Sequence, residues 1–297
     1  MKAVVLTGTG DVDKLEVRDV AEPDPGQGEV KIKVAASSIN PIDWKIRHGY
    51  TNPKLPDILG RDVAGEVTAI GPGVKKFKIG DKVLGVVRHG YAEFVVAKEE
   101  NLARLPAAMP LEDAAALPLV VTTGAQLIEQ NAEPKRGDTI LVTGALGGVG
   151  RSAVFVARER GARVIAGVRK EQKDEARSLG VDDVVAIDDD TEIAQLPEVD
   201  EIADTVDGET IAKLLPHLKQ GGRLASVLGE PDEARKRGID VRAFMAHPDG
   251  PRLQELAEAV ARGDLKIPIA ERHPFEDVRE ATRHAEQGVG GKVLLTP

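Results

Sequence analysis

The chain has 297 residues, with 40 Lys and Arg against 49 Asp and Glu, so its formal net charge is -9. That balance argues against a nucleic-acid binder, whose affinity for phosphate backbones rests on a basic surface. The absence of cysteine excludes disulfides, thiolate catalysis, Fe–S clusters and Cys-built zinc sites, and the length predicts two domains at about 150 residues each. The start, MKAVVLTGTGDVDKLEV, lacks the apolar core of a signal peptide, and no run of about 18 apolar residues occurs, which places the protein in the cytoplasm.

The first third reads as strands between turns. Val30, Ile32 and Val34 alternate with Lys31 and Lys33 after the turn-rich PDPGQGE, the pattern of a half-buried strand. Short apolar runs follow at Val63–Gly71, Asp81–Val87 and Tyr91–Ala97, spaced as in a small β-rich barrel or sandwich. Near Leu111 the chain turns Ala- and Leu-rich enough for helix, with Pro118 dividing the stretch in two. From Thr139 onward it alternates: strand at TILVTG, helix over Val149–Arg160, strand at RVIAGV, then helix at KEQKDEARSLG and strands at DVVAID and DEIADTV. Helix at ETIAKLLPHLK and strands at RLASVLG and DVRAFMA complete six strands, the number in a doubly wound dinucleotide-binding domain. The tail carries helices at LQELAEAVARG and EDVREATRHAEQG and a last strand at KVLLTP, and its periodicity does not say which domain owns it.

The most specific local feature is TGALGGVGRS, where Gly144, Gly147 and Gly150 sit three apart between strand and helix. Glycine there permits a tight turn, lets backbone N–H groups approach a pyrophosphate and lets helix and strand pack closely. The plainer reading is an ordinary strand-to-helix turn; the following strands favour the dinucleotide. A P-loop would need Gly at Ala145 and Lys at Arg151. An NAD site carries an acid about 20 residues past such a turn, to hold the ribose 2′-OH. Here the second strand ends Gly167-Val168-Arg169-Lys170, two cations where a 2′-phosphate would fall, unless both merely solvate the top of a helix. The six histidines never fall at i, i+4 or as His-x-His, so no metal cluster is visible, and no G-x-S-x-G elbow occurs. What survives is a reaction whose difficult step a cofactor carries.

VKIKVAASSINPIDWKIRHG, PDILGRDVAGEVTAIGPGVKKFKIGDKV, AAALPLVVTTGAQL, TILVTGALGGVGRSAV and the closing GGKVLL, in that order, resemble the medium-chain dehydrogenase/reductase superfamily. Within it the chain is similar to the zinc-independent, zeta-crystallin-like branch of NADPH:quinone oxidoreductases. The resemblance implies an α/β fold: a doubly wound, six-stranded parallel Rossmann sheet (residues 119–248) inserted into a GroES-like β-rich catalytic domain (1–118 and 249–297). Zinc-dependent relatives carry Gly-His-Glu where this chain has Gly60-Arg61-Asp62, and Arg61 cannot ligate zinc. The expected metal complement is therefore none, and the expected acceptors are quinones or enones, which spread incoming charge over their own π systems and need no Lewis acid.

The implied reaction is hydride transfer from C4 of NADPH to a quinone or to the β-carbon of an enone, then protonation of the oxyanion or enolate. By resemblance Asn40 lies near the nicotinamide and substrate, and Tyr50 donates a hydrogen bond or proton, unless it only packs on its turn. Thr122 or Thr123 would sit at the nicotinamide end; Gly144, Ala145, Gly147, Gly148, Val149 and Gly150 at the pyrophosphate; and Arg169 and Lys170 at the 2′-phosphate. Asp204 would lie beneath the adenosine ribose, Val227, Leu228 and Gly229 beneath the nicotinamide, with Lys292 a further candidate. The family also implies a homodimer formed through the edge strand at Asp240–Ala246. A catalytically idle NADPH-binding redox sensor is the rival from another class.

Overall fold

The computed structural model describes residues 1–206 and 208–297. The chain divides into two compact units, Met1–Leu119 with Pro248–Pro297, and Val120–His247.

In the first unit, the strand Glu29–Ser38 is the spine. Its alternation sends Val30, Ile32, Val34 and Ala36 inward and turns Lys33 to solvent, the period of two that a one-sided strand requires. Around it the sheet runs Ile269–Pro274, Lys292–Thr296, Glu29–Ser38, Asp62–Ile70, Lys82–Val86, Leu102–Arg104, and Phe94–Lys98 also pairs with the spine. The tail thus belongs to this unit: Lys292–Thr296 pairs antiparallel with the spine through Leu294 and Leu295. A smaller sheet of Leu15–Asp19, Lys2–Leu6 and Asp57–Ile58 completes the unit. Val30, Ile32, Val63, Val67, Val83 and Val95 fill one core, and Val4, Leu6, Ile46, Phe275, Val293 and Leu295 another. Each such side chain contributes roughly 1.5–3 kcal/mol by burial.

The second unit is a six-stranded, all-parallel sheet in the order Asp183–Ala186, Arg163–Val168, Thr139–Thr143, Val199–Asp204, Leu218–Ser226, Asp240–Ala243. The first three strands in the chain run outward one way and the next three the other, so the order reverses between Thr139–Thr143 and Val199–Asp204. Ligands of open α/β sheets lie at the carboxyl ends of strands at such a reversal. Pro118 opens the helix Pro118–Gln126 after a 3-10 turn at Asp113–Ala116, as suits a residue with no N–H to give. Among the described residues no helix is long and apolar enough to cross a membrane.

Candidate functional site

In the first unit Asn40 stands between the spine strand and the helix Pro41–Arg47, which Pro41 opens. Its backbone N–H donates to Asp43 Oδ2 at 2.9 Å, so Asp43 secures the helix start and leaves the Asn40 side chain free for other work. That side chain is buried and committed. Nδ2 donates to Asp62 Oδ2 at 2.7 Å and to the Ser38 carbonyl at 3.2 Å, while Oδ1 accepts from Lys292 Nζ at 2.6 Å. Lys292 also donates to the Ile39 carbonyl at 3.0 Å and lies 3.6 Å from Asp62 Oδ2. Asp62, fully buried, takes a further bond from Ser38 Oγ at 2.6 Å on Oδ2 and one from the Leu119 N–H at 2.7 Å on Oδ1.

A second buried carboxylate adjoins this network. Asp43 Oδ2 accepts from the Tyr91 hydroxyl at 2.8 Å and Oδ1 from the Gly60 N–H at 3.2 Å. Burial pushes the Asp43 carboxyl up to about 6, against the pull of the Tyr91 and Asn40 hydrogen bonds. Burial likewise raises the Tyr91 phenol well above its usual range, with Asp43 adding to it. It lowers the Lys292 ammonium, which Asp62 and Asp43 pull back up.

The structure thus brings together Asn40 and Lys292, 252 residues apart in the chain. It does not bring Tyr50 to them. Tyr50 is 67% exposed, with Lys45 Nζ 5.8 Å from its ring centroid, and among the described residues no hydrogen bond joins it to the network. Sequence reasoning missed Tyr91, Ser38 and the bracing role of Asp62. Only their apolar setting hinted at burial, since their partners come from remote strands and helices.

In the second unit the strand Thr139–Thr143 ends in the glycine turn. Gly144 has φ +60°, and a Cβ there would lie 2.4 Å from Thr205 Oγ1; a Cβ on Gly150 would lie 2.1 Å from the Gly144 carbonyl oxygen. Both glycines are therefore required by the turn itself. The helix Gly148–Glu159 starts at Gly147 with no side chain capping it among the described residues, and Gly147, Gly148 and Val149 remain accessible while Ala145 is buried. The Gly147 N–H is spent on the Gly144 carbonyl at 2.9 Å, and the N–H groups that follow it at an uncapped helix start are of the kind that receives an anion. Thr122 adds a second sign: it is 1% exposed, yet its Oγ1 has no hydrogen-bond partner among the described residues. A buried hydroxyl left unpaired costs about 1–3 kcal/mol unless a ligand satisfies it. Thr123 beside it is 9% exposed. Both features suit a dinucleotide at the strand-order reversal.

Asp204 ends the strand Val199–Asp204. It is fully buried, and its carboxylate accepts from Thr143 Oγ1 at 3.0 Å, Ser226 Oγ at 2.9 Å and the Val206 N–H at 3.1 Å. It ties the carboxyl ends of three adjacent strands together. Val227 and Leu228 follow Ser226, whose Oγ accepts from the Leu228 N–H at 3.1 Å, and Gly229 is exposed. Arg169 and Lys170 lie exposed past the strand Arg163–Val168, already paired. Arg169 Nε is 3.0 Å from Glu171 Oε1, and Lys170 Nζ is 2.8 Å from Asp189 Oδ2.

Residues 26–107 match the family model of the alcohol dehydrogenase GroES-like domain, and residues 179–295 that of zinc-binding dehydrogenases. The chain is 32% identical to a chloroplast envelope quinone oxidoreductase homolog of Arabidopsis thaliana, over 95% of this chain and 94% of that protein. It is 33% identical to a 2-methylene-furan-3-one reductase of Solanum lycopersicum, over 100% of this chain and 79% of the other. The solved quinone oxidoreductase of Coxiella burnetii superposes with a TM-score of 0.92 at 28% identity, covering 100% of this chain and 99% of that one. Kinship of this extent, on a parallel sheet inserted between two segments of a GroES-like unit, makes the chain a member of the quinone oxidoreductase branch of the medium-chain dehydrogenase/reductase superfamily.

Proposed function

We propose that the protein is a cytoplasmic, homodimeric reductase that uses NADPH to reduce quinones without a catalytic metal. The observation that carries this reading is the fate of Asp62. Its carboxylate is spent on Ser38, Asn40 and the Leu119 N–H, and its charge is balanced by the Lys292 ammonium, so it offers nothing to a cation. With Arg61 beside it, the chain lacks the Lewis acid that an unactivated alcohol needs. Conjugated acceptors remain.

The bound NADPH supplies the hydride. The N–H groups of Gly148 and Val149 hold its pyrophosphate, Arg169 and Lys170 exchange their acidic neighbours for its 2′-phosphate, and Thr122 Oγ1 finds its missing partner at the nicotinamide end, with Val227 to Gly229 alongside. Asn40 and Lys292 are positioning residues, because their polar atoms are already used within the protein. Tyr50 Oη, exposed to solvent, donates the proton to the reduced oxygen. The edge strand Asp240–Ala243 pairs with its counterpart in a second copy. The tomato relative, named as a reductase of a methylene-furanone, favours enones as the second acceptor class.

The test is anaerobic oxidation of NADPH and, in parallel, NADH with 1,4-benzoquinone, 9,10-phenanthrenequinone and 2-hexenal. NADPH-dependent turnover of the quinones is expected. Faster turnover of hexenal moves the assignment to an enone reductase, and a preference for NADH removes the 2′-phosphate role of Arg169 and Lys170. Tight NADPH binding with no turnover of any acceptor would make the protein a sensor.

A further inference from the structure

Three side chains on the C-terminal segment of the first unit converge on one point. Glu271 and His273 share the inner face of the strand Ile269–Pro274, and His284 lies on the helix Val278–Gln287. Glu271 Oε2 is 2.7 Å from His273 Nε2 and 2.8 Å from His284 Nδ1, with the rings edge to face and their centroids 5.9 Å apart. All three residues are half-buried, and their ligand atoms lie within 4.8 Å of one another. Among the described residues no other three His, Asp or Glu side chains converge this way. On the far side of His284, Nε2 is 3.9 Å from Glu280 Oε1, one helical turn back.

We propose that Glu271, His273 and His284 bind one divalent transition-metal ion, with zinc the best fit, clamping the strand to the helix. Two imidazole nitrogens and a carboxylate oxygen are a zinc, cobalt or nickel set, whereas calcium and magnesium prefer oxygen alone. Zinc ligands sit about 2.0–2.2 Å from the ion, so the Glu271 oxygen has only to back away from the two nitrogens by a fraction of an ångström. Each imidazole then presents a lone pair where it now donates a proton. That proton passes to the other ring nitrogen or, from an imidazolium, to solvent. For His284 the other nitrogen faces Glu280, a carboxylate placed to orient the ring. Water completes the coordination, reaching it through a surface cavity of about 640 Å³ that His273 lines with Arg272 and Glu112. The site shares no residue with Gly60-Arg61-Asp62 or with the proposed reaction, and it reverses the expectation that the histidines form no cluster.

The full-length protein is titrated with zinc chloride by calorimetry and with cobalt chloride by visible absorption. One ion per chain is expected, with a rise in melting temperature on adding zinc. Loss of an outer carboxylate weakens such sites by about 10- to 100-fold, so Glu280→Gln should lose affinity in that range, and His273→Gln or His284→Gln more. His48→Gln and His217→Gln should bind as the unaltered protein does. If a histidine variant fails to fold without metal, Glu271→Gln replaces it, and zinc-dependent shifts of the His273 and His284 imidazole resonances in the unaltered protein decide independently. Equal zinc affinity in a Glu271→Gln/His273→Gln double variant, or no binding by the unaltered protein, overturns the proposal.

Discussion

Asp43 makes the pH dependence of stability a direct probe of the buried network. Its ordinary value is 3.8, and burial raises it to about 6 in the folded chain. Between those two values the native state holds a proton that the unfolded chain has released, so stability falls as pH rises through the window and is flat above it. Each tenfold change in an ionisation constant is about 1.4 kcal/mol, which makes the loss of the order of 3 kcal/mol. Asp43→Asn keeps an oxygen for Tyr91 and the Asn40 N–H but turns an NH2 toward the Gly60 N–H, at a pH-independent cost of about 1–3 kcal/mol. The variant should therefore gain about 3 kcal/mol on the unaltered protein between about pH 4 and about pH 7. Urea unfolding followed by the fluorescence of Trp44, the chain's one tryptophan, packed in the same core, reads this unit. Parallel stability profiles for the two proteins would refute the assignment of a protonated Asp43 below pH 6.

Gly144→Ala forces a Cβ into the left-handed region at 2.4 Å from Thr205 Oγ1, so we expect a loss of about 2–3 kcal/mol by calorimetry, with weakened dinucleotide binding. Asp204→Ala leaves the Thr143 and Ser226 hydroxyls without their buried acceptor, and should lower stability by about 3 kcal/mol or more in thermal unfolding. Tyr50→Phe removes an exposed hydroxyl: the melting temperature should hold, while kcat falls by about 100-fold if Tyr50 supplies the proton. An unchanged kcat would return Tyr50 to simple packing.

The second unit is where sequence served best. Its strands are short apolar runs, its turn carries glycines with no steric alternative, and four of its five strand pairings join strands consecutive in the chain. The first unit was harder to read. Lys2–Leu6 and Leu15–Asp19 sit in a stretch whose alternation is broken by Gly and Asp. The Tyr91 hydroxyl can be buried because a helix 48 residues earlier delivers Asp43 to it. The partners of Asp204 are hidden in the same way, since Thr143 and Ser226 reach it from neighbouring strands 61 and 22 residues away. His273 and His284, eleven positions apart on different elements, have no spacing rule to betray them; only the fold of helix against strand does.

The closing strand has a consequence for how the chain is made. Lys292, which balances Asp62 and holds Asn40, is synthesised after residues 120–247, and its strand completes the sheet begun by Glu29–Ser38. A nascent chain therefore carries two buried-to-be acids and an open sheet edge throughout the synthesis of residues 120–247, a contiguous unit with every one of its own strands at hand. The later-encoded unit can finish folding first, while the earlier one waits for Lys292–Thr296. Truncation within Lys292–Thr296 should accordingly leave residues 120–247 folded on a chain whose other unit never closes.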